Sequence, residues 1–130
     1  MGLVGLILAL AIGAQPVWAE NIQVPSGKAV VFHEMIWNQP GSGLTYRFRF
    51  ISPEITSVGD DLNYAVLERD MAHLCQEFAV PRLAATGPVP SQIVISISSR
   101  ASEFGQADPE VTQFFEAYSV SDNQCIWEPL

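Results

Sequence analysis

The chain has 130 residues, with 14 acidic against 6 basic side chains and a net charge of −8. Nucleic acid and anionic lipid both require clustered Lys and Arg to displace counterions, so this balance argues against either as a partner. Two cysteines and a length of about one domain leave room for one modest core and one internal crosslink.

Residues 1–19 read as a signal peptide. An apolar run from Leu3 to Ala14 precedes Gln15-Pro16 and then Val17-Trp18-Ala19, which puts small residues at the −3 and −1 positions before Glu20. The run falls short of the roughly 20 residues a spanning helix needs, and no later stretch approaches that length. No Lys or Arg precedes it, so only the α-amino group carries positive charge there. No cysteine adjoins the cleavage point, which argues against a lipid anchor. The expected mature product is residues 20–130, a single domain in the periplasm or outside the cell, with no membrane span.

Export makes Cys75 and Cys125 read first as a disulfide, since no C-x-x-C spacing supports a redox or metal site. Closing a loop of about 50 residues would remove roughly 4 kcal/mol of unfolded-state entropy.

Along the mature chain, Val30 to Trp37 is rich in β-branched and aromatic residues and reads as a strand, followed by the turn-forming Asn38-Gln39-Pro40-Gly41-Ser42-Gly43. In Thr45 to Phe50 the aromatics alternate, so Tyr46, Phe48 and Phe50 share one face and Arg47 and Arg49 the other. These two strands form a hairpin with one wet face. Pro53 stops the second strand, and either Ser57 or Asp60 serves as N-cap for a helix from about Asp60 to Ala79. Tyr64, Leu67, Met71, Leu74, Cys75 and Phe78 fall on its apolar stripe, with Arg69, Asp70, His73, Gln76 and Glu77 opposite. Val80-Pro81 is expected to end the helix. A loop through Pro90 leads to the clearest strand, Gln92 to Ser99, with Ile93, Ile95 and Ile97 buried. Gln113 to Val120 and Gln124 to Glu128 flank Ser121-Asp122-Asn123 as a terminal hairpin carrying Cys125. The fold class is α+β, one helix packed on an antiparallel or mixed sheet of about five strands in the order β-β-α-β-β-β.

Chemistry is sparsely signalled. His33 and His73 are the only histidines. His73 sits among Arg69, Asp70 and Glu77 at helical spacing and reads as part of a surface ion-pair lattice. His33 lies in a strand; with Glu34 or Glu116 it forms the weak catalytic candidate set, His33, Glu34 and Glu116, against a half-buried structural role. Arg47 and Arg49 are candidates for clamping a carboxylate or phosphate, against pairing with acids on adjacent strands. Asp60-Asp61 is explained by the helix macrodipole, and Gly41-Ser42-Gly43 lacks the features of a phosphate loop. Trp37 and Trp127 read as core residues rather than as a platform on which a ligand stacks. The six acids after Arg100 form a cation site, a dock for a basic partner or, more simply, a solubilising surface. No metal or cofactor is implied.

Four strings carry a resemblance: Leu44-Thr45-Tyr46-Arg47-Phe48-Arg49-Phe50, Asp70-Met71-Ala72-His73-Leu74-Cys75, Gln92-Ile93-Val94-Ile95-Ser96, and Phe114-Phe115-Glu116-Ala117-Tyr118 running to Cys125-Ile126-Trp127-Glu128. Together they resemble a domain-of-unknown-function family of small exported bacterial proteins, over nearly all of the mature chain. Some members carry an acetolactate synthase label. That label implies a large cytoplasmic thiamine-diphosphate enzyme, whereas this chain is short, and Gly59-Asp60-Asp61 is not a diphosphate-binding G-D-G with a downstream Asn-Asn. The resemblance supplies no catalytic residue. The expected function is a module that binds a protein or a small ligand; the runner-up is a small periplasmic hydrolase or metal-dependent enzyme built on His33.

Overall fold

A computed structural model describes residues 21–38, 43–55 and 64–129. The expected leader, the expected Ser57 or Asp60 cap and Asp60-Asp61 lie outside the described residues. Five strands form one sheet in the spatial order of the chain: β1 (Val31–Asn38), β2 (Thr45–Ile51), β3 (Gln92–Ser98), β4 (Gln113–Ser121) and β5 (Gln124–Glu128). All neighbours are antiparallel except β2 and β3, which run parallel, so the sheet is mixed. A parallel pair needs a crossover, and the helical segment between β2 and β3 supplies it. The element order is the expected one.

Alternation builds the core. Phe48 pairs with Ile95 and Phe50 with Ile97 across β2 and β3, and all four side chains face the helix. Leu67, Met71, Leu74, Cys75 and Phe78 come down from the helix onto them. Phe78 meets Phe32 at 4.9 Å and Phe50 at 5.2 Å between ring centroids, so β1, β2 and the helix share one aromatic cluster. Cys75 and Cys125 are disulfide-bonded, which fastens edge strand β5 to the helix. Gln76 adds to that link, donating to the Asn123 carbonyl and accepting from the Cys125 N–H. The β4–β5 turn places Asp122 and Asn123 at φ 51° and 60°, the left-handed pair of a two-residue hairpin that Asp and Asn tolerate.

Four expectations are corrected. Val80-Pro81 does not end the helix. The helix runs as α1 (Tyr64–His73), a π-helical stretch (Leu74–Ala79) and α2 (Val80–Thr86). The Val80 N–H reaches back to the Cys75 carbonyl, one residue further than in an α-helix. That wider turn opens the ladder just where Pro81 lacks an N–H, and it puts Pro81 in the first turn of α2, where a missing donor costs least.

Asp70 is not on the solvent face; it is 1% exposed and accepts hydrogen bonds from the Ser26 N–H, at 2.9 Å, and the Ser26 hydroxyl. The segment before β1 covers that side of the helix, so the helical wheel alone placed Asp70 wrongly. The second face of β2 is not wet either. Arg49 is 5% exposed there, because the β3–β4 connection folds over it through Ser102 and Phe104. Finally, Trp37 and Trp127 are surface residues, 63% and 58% exposed. Pairing sets Trp37, Tyr46, Ile93, Tyr118 and Trp127 in one transverse row on the helix side. A single helix covers the middle of that row and leaves its two ends, on the edge strands, open.

Candidate functional site

The two faces of the sheet carry separate polar constellations. On the face away from the helix, a β-bulge between Phe32 and Glu34 breaks the alternation of β1, so His33 and Glu34 both line one shallow hollow with Ala101, Ser102, Glu103 and Phe104. His33 Nε2 lies 3.6 Å from Glu34 Oε2. The other Glu34 oxygen holds Arg49 Nη1 at 2.9 Å, while Arg49 Nη2 donates to the Ser102 carbonyl at 2.9 Å and approaches its hydroxyl at 3.3 Å. Arg47 and Arg49 both lie against the Phe104 ring, at 5.6 and 5.7 Å from its centroid. Arg49 thus directs its guanidinium to groups of its own chain, and Arg47 Nε is buried without a hydrogen-bond partner.

Glu116 is elsewhere. It pairs with Ile95, which pairs with Phe48, so it faces the helix, three strands along from His33 and on the opposite side of the sheet. The structure therefore brings His33 together with Glu34 and Arg49 but not with Glu116.

Around Glu116 the helix and the β4–β5 edge enclose a groove of about 450 Å³ lined by Ala65, Glu68, Arg69, Ala72, Glu116, Tyr118 and Trp127. Ala65 and Ala72 are the small residues that leave it open. Glu116 is 6% exposed, although it occupies a position between Phe114 and Tyr118 where alternation would place an apolar side chain. Tyr64 donates its hydroxyl to Glu116 Oε1 at 2.8 Å, and the Trp127 indole N–H donates to Oε2. These two bonds fix the carboxylate and tether the Trp127 indole at the groove lining. Among the described residues no Lys, Arg or His comes within ion-pair distance of Glu116.

The groove is electronegative. The Tyr64 hydroxyl is pushed up to about 12, first by burial, then by its hydrogen bond to Glu116 and the charges of Glu116 and Glu68. Tyr118 is raised too, by burial first and then by Glu116, Glu68 and Tyr64. Both phenols remain neutral through the physiological range.

Residues 8–130 match a family of unknown function, DUF6497. The chain belongs to that family. The match spans the whole sheet and helix, the disulfide and both polar constellations. No curated protein and no solved structure matches the chain. Family membership therefore brings no assigned residue, and the groove stands on its geometry alone.

Sequence reasoning singled out Glu116 but not its setting. The signal was present in β4, where a carboxylate interrupts an inward-facing series of Phe114 and Tyr118. Tyr64 and Trp127 carried no such mark, because their role depends on how far the helix reaches across the sheet. Among the described residues no three His, Cys, Asp or Glu side chains gather as metal ligands, and no helix is long and apolar enough to cross a membrane.

Proposed function

We propose that this chain is an exported domain that binds a small ligand in the groove between α1 and the β4–β5 edge. Export is supported by the apolar leader ahead of Glu20 and by a pair of cysteines that is disulfide-bonded, the state an oxidising compartment favours. Binding is supported by one observation above the others: a buried carboxylate held by two aromatic donors at the base of an open groove. A cavity of a few hundred Å³ with apolar walls and few, well-oriented polar groups is the usual form of a small-molecule site.

Thermal unfolding of the purified protein against a panel of amines, organic acids, sugars and short peptides tests this. A ligand present at 100 times its dissociation constant adds about 2.7 kcal/mol, several degrees in Tm for a domain this size. Ala72→Trp fills the groove from an exposed helix position, so the shift should vanish in that variant. A ligand whose effect survives Ala72→Trp binds elsewhere, and that result rejects the groove.

A further inference from the structure

Taking the groove as the binding site, we propose that its ligand is a small organic ammonium ion, seated against the Trp127 and Tyr118 rings with its charge toward Glu116. Burying an ionised carboxylate without a counter-ion is costly, and hydrogen bonds from neutral donors offset only part of that cost. Glu116 offers about four lone-pair directions, of which Tyr64 and Trp127 occupy two. The protein thus holds a fixed, desolvated anion with remaining acceptor capacity and no cation of its own on it.

The lining selects further among cations. Trp and Tyr faces attract ammonium groups, more strongly in a partly dehydrated site than in water, and Trp is the best of the aromatic side chains for this. Ala65 and Ala72 leave width for a substituted nitrogen rather than a bare proton donor, and Glu68 adds a second negative charge to the lining. Arg69 is the one cation there; it is exposed and forms no ion pair with Glu116, so it sits at the rim and does not neutralise the interior. The net charge of −8 favours approach of a cation over an anion at every distance where screening allows. A metal ion fits the site less well, since the two carboxylates of the lining, Glu68 and Glu116, fall short of the roughly six or more oxygen ligands a hard cation takes, and no third His, Cys, Asp or Glu among the described residues joins them.

Isothermal titration with choline and with 3,3-dimethylbutan-1-ol, its uncharged carbon analogue, separates charge from shape. Choline should bind at least tenfold tighter than the alcohol. Glu116→Gln should weaken choline at least tenfold and leave the alcohol unchanged, and Ala72→Trp should abolish both. Should Glu116→Gln fail to fold by circular dichroism, Trp127→Leu replaces it, removing the aromatic wall while Tyr64 still satisfies Glu116; choline should again weaken several-fold. Equal binding of choline and the alcohol, both lost in Ala72→Trp, overturns the cation assignment but keeps the groove as a binding site. Absence of heat from choline overturns the cation assignment alone. Choline binding indifferent to Glu116→Gln, Trp127→Leu and Ala72→Trp overturns the assignment and the groove together.

Discussion

Reducing the Cys75–Cys125 bond tests how edge strand β5 is held. The two cysteines are 50 residues apart, and they join the π-helical stretch to the last strand. In the chain-entropy model a loop of that length restricts the unfolded state by about 4 kcal/mol. At roughly 4 °C per kcal/mol for a domain of this size, Cys125→Ser should lower Tm by about 15 °C in oxidising buffer. The native state keeps partial compensation, because Gln76 bonds both the Asn123 carbonyl and the Cys125 N–H and so retains the hairpin against the helix. The loss should therefore reside in the unfolded ensemble: far-UV circular dichroism of the folded variant should match the wild type. Thermal melts with and without reductant provide the assay. Wild type in reductant should fall to the Tm of Cys125→Ser, and the variant should not respond to reductant. Equal melting of wild type and variant in oxidising buffer would refute the argument, as would a reductant effect of the same size on both.

Further outcomes follow from individual contacts. Ile95 sits fully buried on the central strand, so Ile95→Ala should cost about 2–5 kcal/mol in urea unfolding, and a loss under 1 would mean the core repacks around it. Ser26→Ala removes the hydroxyl donor from buried Asp70 while keeping the backbone one; a cost of about 1.5–3 kcal/mol is expected, and no measurable loss would show that Asp70 is satisfied without it. Tyr64 holds its proton more tightly folded than unfolded, so its contribution is complete below pH 10 and is lost as pH rises toward about 12. Stability of Tyr64→Phe should accordingly fall less over that interval than stability of the wild type, and parallel curves would remove the claim. Glu116→Leu should leave Tm unchanged or raise it while ending ligand binding, because Tyr64 and Trp127 are exposed enough to turn their donors to water; a fall in Tm of more than a few degrees would mark Glu116 as structural.

Period-2 and period-3.6 patterning made most of the fold legible. The isoleucines of β3 and the aromatics of β2 alternate cleanly, and the terminal hairpin follows from two polar turn residues between apolar runs. Misreadings occurred where one local rule met a tertiary one. Pro81 carries a strong stop signal, but the π-helical stretch before it absorbs the missing donor and lets the helix run to Thr86. Asp70 looks solvated on a helical wheel that knows nothing of the segment around Ser26. Trp37 and Trp127 look like core residues by type, and only the sheet order shows that both lie on edge strands beyond the helix. His33 and Glu34 adjoin because of a bulge, which no pattern in β1 announces.

Glu116 is the position where the otherwise consistent pattern of the chain breaks. Its row on the sheet reads Met35, Phe48, Ile95, and an apolar fourth member would complete the core under the helix at no cost in hydration. A carboxylate there must instead be supported, and the chain supplies a tyrosine from α1 and a tryptophan from β5 to do so, each left partly open to solvent. The other buried acid among the described residues, Asp70, is handled differently. Asp70 is 1% exposed and closed off by the Ser26 N–H and hydroxyl, whereas Glu116, met by the Tyr64 hydroxyl and the Trp127 indole, lies in the lining of a groove that two alanines keep wide. Sequences that fold consistently tend to break their own rules where binding or chemistry demands it, at some expense in stability. On that reasoning the contrast between the two acids, one closed off and one presented, is what distinguishes a site from a staple.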